Sequence, residues 1–259
     1  MTKIYLLRHS QPFRKLLGEY NSSDVEQVRN EKNVLSVYGE KLAREMSERK
    51  ELQNIDVIYS SHYVRAMCTA KYIAENNNIK LNVDERLGER KFGVNDISEL
   101  PSDFFEEQFR NWDYKLEKGE SANEVSKRMN EVLLEIINNN KDKTIAIVSH
   151  GTAISAMLKT WCNILLNEET KLIELYFNDK LVFDGNWNCP ELFELEFDNN
   201  NLISISNIRW LELFIWKKTK IIYINPLLKI VLQYGLLMFL RISESIKGEY
   251  AEGEIYTCS

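Results

Sequence analysis

Two short apolar runs, each ending on a histidine, limit what this chain can fold into more than any other feature. Ile4-Tyr5-Leu6-Leu7 leads into Arg8-His9, and Thr144-Ile145-Ala146-Ile147-Val148 leads into Ser149-His150-Gly151. Runs this short and continuous, with no helical period, read as strands buried on both faces, the pattern of a parallel sheet covered by helices. Ligands of such sheets bind in the crevice outside the carboxyl ends of the strands. The chain has three histidines in all. Two of them arrive at that crevice from separate strands, which makes His9 and His150 a candidate catalytic pair.

The intervening sequence supports the same architecture. Residues 11 to about 34 are polar and aperiodic, a loop with at most one helical piece. Gly39 to Lys50 reads as a helix with Leu42, Ala43 and Met46 facing inward. Ile55–Tyr59 is a second strand, and Ser60-Ser61 offers an N-cap for a helix from Tyr63 to Glu75. Lys80–Val83 is a short third strand. Ser121-Ala-Asn-Glu124 is a capping box; it opens a helix with Val125, Met129, Val132, Leu133, Ile136 and Ile137 on one stripe, stopped at Asn138-Asn-Asn140. A helix from Thr152 to about Leu166 follows the strand Thr144–Val148. Glu191–Phe197 and Leu202–Ile208, split by Asp198-Asn-Asn-Asn201, read as an antiparallel hairpin. The expected fold is α/β in three layers: a mostly parallel central sheet with helices on both faces.

Composition narrows the function. A net charge of −6 lacks the basic footprint that phosphate backbones demand, so no nucleic-acid partner is expected. Cys68, Cys162, Cys189 and Cys258 are scattered, with no C-x-x-C and no histidine at ligand spacing, so they read as idle thiols of a reducing compartment rather than a zinc site. The first apolar run is too short for a secretory leader and ends in Arg8, which fits a cytoplasmic chain. Arg65 stands on the first turn of a helix that follows a strand, at the histidine end of the sheet. Arg8 and Arg65 together suit a phosphoryl group, whose oxygens their planar forks bind in pairs.

Five blocks then carry a resemblance. Leu7-Arg8-His9-Ser10, Tyr59-Ser60-Ser61-x-x-x-Arg65-Ala66-x-x-Thr69-Ala70, Glu89-Arg90-Lys91-Phe92-Gly93, Gly119-Glu120-Ser121 and Val148-Ser149-His150-Gly151 resemble, in order, the motifs of the histidine phosphatase superfamily, also called phosphoglycerate mutase-like. The likeness runs from Lys3 to about Trp210. It implies His9 as a nucleophile forming a phosphohistidine, and Glu89 as the proton donor to the leaving oxygen and later the base that activates water. Glu85 is a rival for that role. Arg8, Arg65 and His150 would hold the charge on the transferring oxygens, with no metal and no cofactor needed. Ser10 stands where the family usually has glycine. The loop from Gln11 to Asn33 lacks the family's common asparagine and Gly-Arg pattern, leaving Gln11 and Arg14 as candidate substrate contacts. His62 reads as an exposed residue at the helix start.

The resemblance favours a metal-independent phosphomonoester hydrolase acting on a small phosphorylated substrate. His9 and His150 are 141 positions apart, and about 25 residues separate Gly93 from Gly119. That segment is shorter than in the phosphoglycerate mutases the resemblance brings to mind, so a mutase-type phosphotransferase ranks second. Phe104, Phe105, Phe109 and Trp112 within it either line a pocket or pack a cap. A non-catalytic, protein-binding member of the fold tethered by its C-terminal tail ranks third, against the intact His9, His150, Arg8, Arg65 and Glu89. The expected catalytic domain is residues 1–210. The extension 211–259 lies outside the resemblance, and its segment 221–240 has 15 apolar or aromatic residues out of 20. Lys229 near the middle of that segment opposes a membrane span. A helix after Pro226 puts Leu228, Leu232, Leu236 and Phe239 on one face, for packing, self-association or contact with a membrane surface.

Overall fold

A computed structural model describes residues 1–13 and 26–209. Arg14 and the extension 211–259, with its segment 221–240, lie outside the described residues.

The order of elements is β1 (Thr2–Arg8), α1 (Glu26–Lys32), α2 (Val37–Ser47), β2 (Val57–Ser60), α3 (Val64–Asn77), β3 (Leu81–Val83), α4 (Phe104–Arg110), α5 (Ala122–Asn139), β4 (Thr144–Ser149), α6 (Gly151–Leu158), β5 (Asn163–Leu166), β6 (Ile173–Phe177), β7 (Lys180–Phe183), β8 (Glu191–Asp198) and β9 (Asn201–Asn207). The main sheet runs β3-β2-β4-β1-β8-β9. Its first four strands are parallel, and β8 and β9 close it as the antiparallel hairpin. The continuous apolar runs are explained by position. β1 and β4 lie side by side at the centre, so both of their faces are covered. Ile4 and Leu6 of β1 and Ile145 and Ile147 of β4 join a core with α5 and α6, and the alternate residues Tyr5, Leu7, Ala146 and Val148 are buried on the opposite face. The apolar stripe of α5, from Val125 to Ile137, is buried along its length, and its capping box forms with both hydrogen bonds present.

Four local expectations are corrected. α2 starts at Val37, capped by the Ser36 hydroxyl, and ends at Ser47. α3 starts at Val64 with Tyr63 as its cap residue and no side-chain cap; the Ser61 hydroxyl accepts the Tyr63 N–H at 3.2 Å instead. α6 stops at Leu158, and Asn163–Leu166, expected as its last turn, is a strand. That strand belongs to a three-stranded antiparallel sheet, β5-β6-β7, not foreseen from sequence. Among the described residues, no helix is long and apolar enough to cross a membrane.

Candidate active site

β1 and β4 end in register, Arg8 opposite Ser149. His9 extends the ladder by one bond, its N–H donating to the Ser149 carbonyl at 3.0 Å. The two imidazoles therefore leave neighbouring strands at one level, and they meet edge to face with centroids 5.0 Å apart. β2 ends beside β4, Ser60 opposite Val148, and the turn after it carries Ser61 and Arg65 to the same place.

Hydrogen bonds assign the tautomers. His9 Nδ1 lies 2.7 Å from the Ser10 carbonyl oxygen; a carbonyl only accepts, so Nδ1 carries the hydrogen and Nε2 keeps its lone pair. That lone pair accepts from Arg65 Nε–H at 3.0 Å. His150 Nδ1 sits 3.2 Å from Arg65 Nη2, and a guanidinium has only donors, so this nitrogen accepts as well. His150 Nε2–H then donates to the Ser61 hydroxyl at 2.8 Å. One arginine thus bridges both rings. Burial, reinforced by the positive charges of Arg65 and Arg8, pushes both imidazoles well below 6.5; both are neutral at pH 7. Burial also works against the charge on Arg65, and Glu89 is the foremost neighbour sustaining it.

Arg8 is held from the side of the unforeseen sheet. Its guanidinium lies over the Trp187 ring, 5.6 Å from the centroid, and Nη1 donates to the Asn188 carbonyl at 3.4 Å. Its buried Nε has no hydrogen-bond partner, and a side chain on Gly151, at the start of α6, would come within 3.5 Å of it.

Glu89 is half-buried, and its Oε1 accepts from the Ala153 N–H in the first turn of α6 and from the Arg90 N–H, each at 2.9 Å. Arg128 of α5 fixes the approach by donating to the carbonyls of Arg86, Gly88 and Glu89. The Glu89-to-Gly93 and Gly119-to-Ser121 blocks occur together because they cross. A Cβ on Gly93, whose φ is +81°, would lie 2.3 Å from the Gly119 nitrogen. Glu85, by contrast, is exposed in a short turn of 3-10 helix.

Other candidates fall elsewhere. The Gln11 carbonyl accepts the Ser36 N–H, and its side-chain oxygen faces the Ser36 hydroxyl at the start of α2. His62 is half-buried rather than exposed, edge-on to Tyr63, with Nε2 3.5 Å from Glu31. Phe104 packs on both Phe105 and Tyr114, and Phe109 meets Trp112. Among the described residues, no three His, Cys, Asp or Glu side chains cluster to hold a metal ion.

Sequence reasoning missed the supports. The Ser10 N–H donates to Thr69 Oγ1 at 2.9 Å, and that hydroxyl donates to the Arg65 carbonyl. The Ser10 hydroxyl donates to the Gly39 carbonyl at 2.7 Å, so serine is accommodated where the family favours glycine. Thr69 was visible only as a motif position, and Trp187 gave no signal at all.

A family model of the histidine phosphatase superfamily (branch 1) matches residues 4–175. Phosphoserine phosphatase 1 of Hydrogenobacter thermophilus is 30% identical over 173 residues, covering 64% of this chain and 77% of the relative. A Citrobacter koseri protein named "Probable phosphoglycerate mutase GpmB" is 28% identical over 173 residues, covering 62% of this chain and 74% of the relative. The crystal structure of phosphoserine phosphatase from Entamoeba histolytica in complex with 3-phosphoglyceric acid superposes with a TM-score of 0.56 at 25% identity, covering 81% of this chain and 98% of that one. The motif order, the parallel sheet and the family match agree: the chain belongs to the histidine phosphatase superfamily, branch 1, and is an enzyme of the phosphatase class.

Proposed function

We propose that the chain hydrolyses a small phosphomonoester through a phosphohistidine on His9. The observation that carries this reading is the His9 ring: neutral, pinned through Nδ1–H to the Ser10 carbonyl, with the Nε2 lone pair turned toward Arg65. In the first step Nε2 attacks phosphorus, the P–N bond forms and the ester P–O bond breaks. The leaving oxygen takes a proton from Glu89. In the second step water gives its proton to the Glu89 carboxylate and its oxygen to phosphorus, the P–N bond breaks, and His9 is regenerated. Arg8 and Arg65, both largely buried, provide donors for the phosphoryl oxygens, and in a site that excludes water such donors are commonly worth roughly 100-fold or more in rate. The N–H groups by which Arg65 bridges the two rings are the ones a phosphoryl group would take over. Two guanidiniums supply the compensating charge, so the mechanism has no metal step.

The names of the relatives favour phosphoserine as a first substrate to test. The mutase reading is second, supported by the relatives named as phosphoglycerate mutases; it shares the first step and differs in passing the phosphoryl group to a second hydroxyl instead of water. His9→Ala is expected to abolish turnover, and phosphate trapped on the wild-type protein should be labile to acid and stable to alkali. Near-normal phosphate release by the His9→Ala protein would remove His9 from the mechanism.

A further inference from the structure

Glu191, the first residue of β8, is a buried carboxylate that the proposed reaction does not use. It is 1% exposed, and in the antiparallel pairing of β1 with β8 it stands opposite Arg8. Residues directly opposite in such a pair share a face of the sheet, so a buried anion and a buried cation leave neighbouring strands side by side. The carboxylate is nevertheless spent on neutral donors. Its Oε2 accepts from both the Asn188 N–H and the Asn188 side-chain amide, each at 2.8 Å, and its Oε1 accepts from the Asn207 amide of β9 at 2.8 Å.

Asn188 is the link to Arg8. Its carbonyl accepts from Arg8 Nη1 at 3.4 Å, and the residue before it, Trp187, lays its ring against the same guanidinium. Phe183 and Phe193 hold that ring in turn, at 4.6 and 5.7 Å between centroids. The start of α6 closes the far side, where a Cβ on Gly151 would lie 3.4 Å from the Trp187 ring and 3.5 Å from Arg8 Nε. Trp187 and Asn188 thus form a bracket around Arg8. Asn188 is exposed, so its place is set by hydrogen bonds rather than by packing.

Burying a carboxylate without a direct cation partner is costly, and the β1–β8 ladder, made of backbone groups, does not require one. What the carboxylate adds is an oxygen that takes two N–H groups of one residue, and a fixed negative charge next to Arg8. A carboxylate bonded straight to the guanidinium would compete with a phosphoryl group for its donors. Held one residue away, Glu191 leaves them open, and Arg8 Nε has no partner.

We infer that Glu191 is a positioning residue: through Asn188 it fixes the bracket that aims the Arg8 guanidinium at the phosphoryl group. This rests on the phosphatase reading above, and the test separates the two. It is a double-mutant cycle in the full chain with p-nitrophenyl phosphate, whose leaving oxygen needs little protonation, so that slow variants stay measurable. Glu191→Ala should lower kcat/KM about tenfold or more, and the near-isosteric Glu191→Gln about threefold or more. In an Arg8→Ala background neither change should lower it further, whereas a role in folding alone would lower both backgrounds alike. Inorganic phosphate binding, measured by calorimetry, should follow the same pattern. If Glu191→Ala fails to fold, Glu191→Gln carries the cycle. No loss with intact Arg8, or equal losses with and without Arg8, overturns the inference. If the wild-type protein hydrolyses neither p-nitrophenyl phosphate nor phosphoserine, the phosphatase reading fails, and phosphate binding alone then decides the role of Glu191. Weakening only where Arg8 is present supports it; equal weakening, or no phosphate binding by the wild type, overturns it.

Discussion

At the scale of single residues, two carboxylates four and eight positions upstream of Gly93 compete for one proposed role, and they differ in where they point. Glu89 reaches the first turn of α6 and is electrostatically coupled to Arg65, whereas Glu85 faces outward. Replacing Glu89 by Gln keeps the shape and removes the transferable proton. Alkyl phosphates, whose leaving oxygen needs that proton, should slow by about 100-fold or more, and p-nitrophenyl phosphate should slow far less. Equal slowing of both in steady-state assays would place the acid elsewhere. His9, His150, Arg8 and Arg65 could be read from sequence because each follows a short strand or opens the helix after one, so local pattern and position in the sheet coincide. Thr69 and Ser61 could not be read in this way. Thr69 meets Ser10 across 59 positions, and Ser61 meets His150 across 89. A hydroxyl carries no periodicity that announces a distant partner, and Ser61 looked locally like a helix cap.

At the scale of elements, the strongly periodic pieces were legible and the short apolar ones were not. α5 had six apolar positions on one stripe and a capping box at its start, and both appear as read. The run Trp161-Cys-Asn-Ile-Leu-Leu166 fits the last turn of a helix as well as a strand, because four to six residues do not distinguish the two periods. Tertiary pairing decides it: β5 pairs with β6 from Asn163 to Leu166. The rest of that sheet, β6 and β7, has strands of five and four residues with mixed exposure, too short to stand out. The capping box itself is testable. The Ser121 hydroxyl accepts the Glu124 N–H at 3.1 Å, and Glu124 returns a bond to the Ser121 N–H at 2.9 Å. Ser121→Ala should cost about 1 kcal/mol in urea unfolding, within a typical range of ~0.5–2, with the α/β circular dichroism retained. No loss would mean that the cap is redundant with the packing of α5.

For the whole molecule, the two buried imidazoles tie stability to pH. Their folded pKa values are lowered from 6.5, so the folded protein keeps them neutral where the unfolded chain takes up protons. The unfolded state therefore binds more protons below about 6.5, and stability falls as pH drops from there toward the lowered folded values. The slope is at most about 1.4 kcal/mol per pH unit per ring. Glu120 and Asp84, whose carboxyls are lowered by arginine partners despite burial, add their own loss only below about 4.5. Urea midpoints measured between pH 7 and pH 5 should decline, and His9→Gln should remove part of that decline. A flat profile over this interval would mean that the rings are not held neutral. The three-layer plan was legible as a whole because alternating strands and helices leave few ways to cover a parallel sheet.

The side-by-side ending of β1 and β4 also bears on how such an enzyme can change. The spacing between His9 and His150 is set by the hydrogen-bond ladder of the two central strands, while a nearby cavity lined by Gln27, Asn30, Arg90, Lys91 and Lys118 is built from α1 and the crossover between Glu89 and Ser121. The reacting nitrogens and the cavity wall therefore lie in separate stretches of chain, with Glu89 at the junction. Insertions, deletions or charge swaps in the crossover reshape that wall while the reacting nitrogens stay in place. For protein engineering the order of work follows: diversify the exposed positions between Val94 and Lys118, leave the Gly93–Gly119 contact and the strand ends alone, and screen against new phosphate esters without rebuilding the strand-borne nitrogens.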